Sequence, residues 1–534
     1  VAPFMSITIQ PYKNEKVIID GRSPIRGFTS SGPNQYVASV HLRSDDTNQI
    51  FFDDVPGHEA QWPNSSDPLH PAWATIGAGS NDSLLVDPNL PKNLTGWGYI
   101  KFWSGEDAWS AATATFTSPQ AGSIPFLLDA KPQESWIVPE PGGLYYLFGN
   151  RALLDAPFEW YYDDAAQKLY VQIPSGKAIT DYKISYKARN YGIDLSDMGQ
   201  VTVRNINLFA TTIAMNAMSY NNVIDGIHAD YVSQVSRLRD RDVHPWVGGF
   251  EVDHVFDTGI MLKGRQNTLK NSVITHSACN GVVVTGDGNT VTNNSISSVG
   301  SFFNDCSGIY VVGTNHSITH NAIHDTGRDA ILLSFTWNPQ DNDHSSSPTN
   351  IDISYNDLYD FGLLGDDVGG IYMNGQTLTG VKIHHNWIHD ALYPNPLPHS
   401  TLVPRPTTVA IYLDNNTSDV EAFQNVLSNL QLFPVLINTG TTTHVGPNNN
   451  SIHNNTIINP AAGGSIQILG PMPDCGTTSL VDNKVTAPMD EATTKACKSS
   501  NNSPTAVGAN ELKRPSVGCS LKECSVDPYE WPAA

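Results

Sequence analysis

From about residue 200 onward, apolar and polar residues alternate in short runs that break at Gly, Asn or Asp. Runs of that length and period predict β-strands rather than helices. Two motifs recur along them. In one, an Asn sits just ahead of an apolar residue: Asn205, Asn271, Asn294, Asn321, Asn356, Asn386, Asn425, Asn455 and Asn483. The other has the form Gly-Ile-x-hydrophobic-x-Gly, as in Gly259-Ile-Met-Leu-Lys-Gly, Gly281-Val-Val-Val-Thr-Gly, Gly308-Ile-Tyr-Val-Val-Gly and Gly370-Ile-Tyr-Met-Asn-Gly, with related runs from Ala330 and Ala410. Successive Asn spacings from 271 are 23, 27, 35, 30, 39, 30 and 28, so the shortest unit is 23 residues and the others carry insertions. A repeat of this kind predicts a solenoid. An Asn at a fixed turn stacks its amide on the one below it. The expected fold is all-β, a right-handed parallel β-helix, in which every strand has a neighbour at ~4.8 Å on both sides except at the two ends.

The repeat divides the chain. Residues 1–195 are expected to supply first solenoid strands together with a β-rich inserted subdomain at about 65–185. Within that insertion, a turn at Asp163 to Gln167 joins two aromatic runs as a hairpin. Residues 196–485 form the β-helix and 486–534 a C-terminal cap. Four of the six cysteines, Cys475, Cys497, Cys519 and Cys524, fall in or near that last segment, where disulfides would pin a stretch with little core. Cys279 and Cys306 fall in one column of adjacent rungs, close enough for a disulfide.

Composition narrows the function. The 534 residues carry 52 acidic against 30 basic side chains, a net charge of −22, which disfavours nucleic acid as a partner. No stretch approaches the ~18 uninterrupted apolar residues of a membrane span. Ten Asn-x-Ser/Thr sequons, and a first segment that reads as a mature end after leader removal, point to secretion, and a monomer is expected.

Several segments resemble secreted carbohydrate-active β-helix proteins. Phe52-Asp-Asp-Val-Pro followed by Glu59-Ala-Gln-Trp-Pro-Asn64 is similar to their displayed strand and Ala-Arg-Trp-Pro-Asn sequence, with Gln61 in the Arg position. Trp160-Tyr-Tyr-Asp with Leu169-Tyr is similar to their hairpin, and Gly-Ile-Tyr with His-Asn-x-Ile-His-Asp to their rungs. The nearest resemblance is to glycoside hydrolase family 141, which implies hydrolysis of plant cell-wall glycans, a carbohydrate substrate.

Alternation along the Gly-Ile strands puts Ile in the core and the next residue outside. The outer column then reads Met261, Val283, Tyr310, Leu332, Tyr372 and Tyr412, and two residues further on Lys263, Thr285, Val312, Ser334, Asn374 and Asp414. An exposed strip of aromatic and polar groups is the surface that a sugar needs. Asp305 and Asp367 precede their glycines by three residues, Asp329 directly precedes Ala330, and Asp366 lies alongside. Glycosidases use one carboxylic acid and one carboxylate at ~5.5 Å or ~6.5–9.5 Å. Asp329 and Asp367 are the expected acid/base pair, with Asp305 or Asp366 tuning them. Tyr310, Tyr372, Tyr412, Asn374, Asp414, Lys263 and Trp337 are the expected sugar contacts. Insertions at 337–349, 360–369 and 391–407 would wall the cleft, with Trp337 and Tyr393 available to stack on sugars.

Other features carry less chemistry. His324-Asp325 and His389-Asp390 repeat in equivalent turns and read as structural. Asp341 and Asp343 offer hard oxygens to Ca²⁺ but too few for a site, and no metal or cofactor is expected. His228, His244 and His254 lie near Arg237, Arg239, Arg241 and Asp242, in a segment that either approaches the cleft or is solvated. The alternatives are a polysaccharide lyase or epimerase, with Lys263 or Arg328 as base on a uronate, and a non-catalytic glycan-binding solenoid. The acidic strip repels anionic polymers and speaks against the lyase.

Overall fold

The computed structural model describes residues 6–13, 15–43, 47–103, 111–129, 139–237, 259–302, 306–334, 336–338, 343–375, 377–391, 408–430, 433–439, 449–458, 465–469, 477–486, 497–502 and 517–525. Among these, three parallel sheets of twelve, eleven and ten strands wrap a right-handed solenoid. One rung shows the plan: Thr290–Thr292 in the first sheet, Ser295–Val299 in the second and Ser307–Val311 in the third. Inward Ile, Val and Leu side chains stack into one continuous core from Leu195 to Cys497. The corners are tight. Gly286 has φ of +100°, and a Cβ there would lie 2.0 Å from the Gly264 carbonyl oxygen, so only glycine fits.

Ile7–Ile9 and Ile18–Asp20 pair in parallel with Val201–Arg204 and Asn207–Phe209 as the first rung. Between them the chain leaves the solenoid, and strands from Arg22–Pro24 to Ile184–Lys187 form mostly antiparallel sheets of seven, five and four strands. The expected hairpin is there, Glu159–Asp163 against Lys168–Gln172. Two fully buried lysines tie the insertion to the solenoid. Lys101 donates to the Phe302 carbonyl at 2.9 Å and Lys187 to that of Val232 at 2.9 Å.

An asparagine ladder runs along the turn between the first and second sheets. Asn294 donates its backbone N–H and its Nδ2 to Oδ1 of Asn321, and the pattern repeats through Asn356, Asn386, Asn425, Asn455 and Asn483 to Asn502. Asn205 and Asn271 share the sequence motif but not the ladder. The register sets Val273 opposite Ser295, so Ser272 takes the ladder position. Asn271 and Asn205 sit one column earlier with φ of 52° and 54°, a left-handed conformation that Asn tolerates.

Lys498–Ser500 extends the first sheet from Ser479–Val481. Residues 517–525 then lie back along the rod, where the Gly518 N–H donates to the Tyr355 carbonyl at 2.8 Å and the Ser520 N–H to Asn293 Oδ1 at 2.6 Å. Cys279 is bonded to Cys306 and Cys519 to Cys524, and Cys497 is also in a disulfide. Among the described residues, no helix is long and apolar enough to cross a membrane.

Candidate active site

The third sheet positions the candidate side chains. Its register aligns Met261, Val283, Tyr310, Leu332, Tyr372 and Tyr412 on successive rungs, and Asn374 opposite Asp414. This is the column the Gly-Ile motif predicts. The column continues upward through Leu436, which lacks the motif.

The strip is not exposed, and this corrects the expectation. Tyr310, Tyr372 and Tyr412 are only 8%, 3% and 4% accessible and form a cluster of their own with Val283, Leu332, Phe433 and Leu436. Large side chains on adjacent rungs cover each other at the rung spacing of ~4.8 Å. Tyr372 and Tyr412 meet edge to face, with ring centroids 5.1 Å apart.

Their hydroxyls are turned to carboxylates. Tyr412 donates to Asp367 Oδ1 at 2.8 Å, and Tyr372 to Asp414 Oδ2 at 2.7 Å. Asp367 occupies a left-handed turn with φ of 59° and is half-buried, which turns it back over the sheet at the start of Val368–Asn374. Its N–H donates to Asp366 Oδ1 at 3.0 Å, so buried Asp366 shapes the turn. Asp414 closes the strand Thr408–Asp414. It accepts further bonds from Asn438 Nδ2 at 2.7 Å, the Asn415 N–H at 2.9 Å and Asn415 Nδ2 at 3.1 Å. Asn415 also donates to Asn374 Oδ1 at 2.9 Å, completing a polar rim.

Burial, and then the negative charge of Asp367, push the Asp414 carboxyl up to about 7 against the pull of those hydrogen bonds. The same causes hold both tyrosines protonated, burial first. For Tyr372 the charges of Asp414 and Asp367 follow, and for Tyr412 those of Asp367 and Asp414. The arrangement therefore keeps one proton on Asp414 near neutral pH beside a second carboxyl group.

Asp329 behaves differently from its expected role. It is fully buried, accepts the Gly369 N–H at 2.8 Å and pairs with Arg328 at 3.6 Å. The Arg328 guanidinium lies 5.4 Å from the Tyr372 ring centre. Asp329 thus anchors an arginine beneath the tyrosines and is placed behind the site. Lys263 shares the column of Asp414 but lies five rungs below it, about 24 Å away at the rung spacing, so it is not part of the cluster. Tyr310 lies two rungs below Tyr372 with Leu332 between.

Asp305, Asp341, Tyr393, His244, His254, Arg239, Arg241 and Asp242 lie outside the described residues, as do the loop 392–407 and the side chain of Trp337. Sequence reasoning missed Asn415 and Asn438. Asn415 had only a sequon to mark it. Asn438 ends a strand, Phe433–Asn438, without the Gly-Ile signature.

The family model for a right-handed β-helix region matches residues 247–393. No curated protein matches the sequence. Among solved structures, one described as a glycoside hydrolase is 14% identical, with 97% of this chain and 87% of that one covered and a TM-score of 0.61. The complex of XylC with xylose is 10% identical over 93% and 77%, with a TM-score of 0.48. The catalytic unit of an α-1,3-glucanase from Streptomyces thermodiastaticus strain HF3-3 is 11% identical over 87% and 98%, with a TM-score of 0.30. The first of these likenesses, with the family model, shows that the chain has the right-handed parallel β-helix fold.

Proposed function

We propose that the protein is a secreted glycoside hydrolase acting on a neutral cell-wall glycan, with Asp414 and Asp367 as its carboxyl pair. The observation that carries this reading is a carboxyl group held near pKa 7 beside a second one, each bound to the hydroxyl of a tyrosine on the neighbouring rung. Neighbouring carboxyls with such different environments divide the roles of acid and base. Asp414 donates its proton to the glycosidic oxygen as the bond from that oxygen to the anomeric carbon breaks. Asp367, the more exposed of the two, meets the anomeric carbon, either as nucleophile or as the base that takes a proton from an attacking water. The resemblance to glycoside hydrolase family 141 supports the reading, as does sharing a fold with a structure described as a glycoside hydrolase. The disulfides suit an oxidising, extracellular setting.

Elimination on a uronate fits less well. The carboxyl groups of Asp366, Asp367 and Asp414 crowd this flank, Arg328 is already paired with Asp329, and Lys263 lies five rungs away. The test is turnover on a panel of neutral and uronate-rich plant polysaccharides, following reducing ends and ultraviolet absorbance of unsaturated products together. Hydrolysis predicts reducing ends without absorbance, lost by about 10²–10⁴-fold in Asp367→Asn and Asp414→Asn. Absorbance rising with the reducing ends, or full turnover in both variants, overturns the assignment.

A further inference from the structure

A cavity of about 570 Å³ opens on the other flank, between the second sheet and the inserted segment that carries Glu59, Gln61 and Asp67. Its floor is the lower part of a column of left-handed residues, one per rung: Tyr231, His276, Ser298 and Asp325 line the cavity, and Asp360, Asp390 and Asn429 continue the column beyond it, all with φ from 46° to 56°. The column has a gap. Tyr231 and His276 stack with ring centroids 4.5 Å apart, and Asp230 holds the imidazole at 2.7 Å. The next residue, Ser298, is small, so the upper face of His276 is uncovered and its side chain is 45% exposed. Asp325, one rung beyond, is 42% exposed and is oriented by His324 at 2.7 Å. Two rungs separate His276 from Asp325, about 10 Å.

We propose that this gap is a binding slot for one neutral pyranose ring, lying on the His276 face over Ser298. A ring stacked about 4 Å above the imidazole fills the missing place in the ladder. Its hydroxyls then meet Asp325 on one side and Glu59 and Gln61 across the cavity, groups that accept or donate to vicinal hydroxyls. The cavity lies within the range of about 300–1,000 Å³ usual for small-ligand sites. Its carboxylates disfavour a uronate, and Lys101, the one ammonium among the described residues of its wall, is directed to the Phe302 carbonyl. The slot is separate from the carboxyl pair on the third sheet, and residues 360–367 run round the corner from one flank to the other.

Saturation-transfer NMR on the full chain tests this with methyl β-D-glucoside, methyl β-D-xyloside and methyl β-D-glucuronide. At least one neutral glycoside is expected to show transfer and the glucuronide none. Ser298→Tyr extends the aromatic ladder into the gap, in a backbone conformation that Tyr231 already adopts, and should weaken binding by at least tenfold. His276→Ala, at an exposed side chain, should weaken it independently, while Asp414→Asn should leave it in place whether or not the hydrolase assignment stands. Absence of transfer from both neutral glycosides, binding that survives both slot variants, or binding abolished by Asp414→Asn would overturn the proposal.

Discussion

Asp414 and Tyr372 show how one hydrogen bond sets a pH limit. A donor to a carboxylate favours its charged form, so the Tyr372 hydroxyl works against the burial that raises Asp414 to about 7. If catalysis needs Asp414 protonated, activity falls as pH rises through about 7. Removing the donor stabilises the protonated form, so Tyr372→Phe should move that alkaline limb upward by about half a unit or more. A pH profile of kcat/KM checks it, and an unmoved limb would take Asp414 out of the acid role. At this scale the sequence was informative about identity and position but not environment. Tyr372, Tyr412, Asp367 and Asp414 all stand in the aligned columns. That Asp414 is enclosed while Asp329 turns away to Arg328 depends on contacts with Asn438 and Gly369, which no local pattern marks.

Single elements draw their stability from the stack. Asn356 is fully buried; its Oδ1 accepts two bonds from Asn321, and its Nδ2 reaches the Ile318 carbonyl at 2.9 Å. Asn356→Ala leaves buried groups above and below unmet. It should lower stability by about 3 kcal/mol or more, seen as a lower midpoint in denaturant unfolding. The ladder was readable because its Asn recurs at a fixed place before an apolar residue. Asn205 and Asn271 mimic it one residue off, since left-handed turn positions also favour Asn, and only pairing register separates the two columns. The same turn chemistry conceals meaning in the second sheet. Asp360 is pushed up by burial and by the charges of Asp325 and Asp390, a contact between rungs that a turn motif does not announce. His389 is also displaced upward. Burial, which opposes its charge, is outweighed by hydrogen bonds to Asp357 and Asp390. Its stabilisation is therefore present below the ordinary histidine range and is lost as pH rises.

For the whole molecule, the join between insertion and solenoid was the least legible part, because a buried lysine looks like any surface lysine in sequence. Burial brings the Lys101 ammonium down to about 7. The unfolded chain holds that proton up to about 10.5, so stability rises with pH between 7 and 10.5 and is lost as pH falls through 7. Lys101→Met should therefore raise the thermal midpoint more at pH 6 than at pH 10, and an equal shift at both would show that the lysine carries its charge at no cost. The tail at 517–525 has a mechanical consequence. Because it is tied to the middle of the rod at Asn293 and Tyr355, tension applied at the two chain ends runs through that tie. The rungs between Tyr355 and Lys498–Ser500 stay out of the line of force until it breaks, a slack loop behind a fuse.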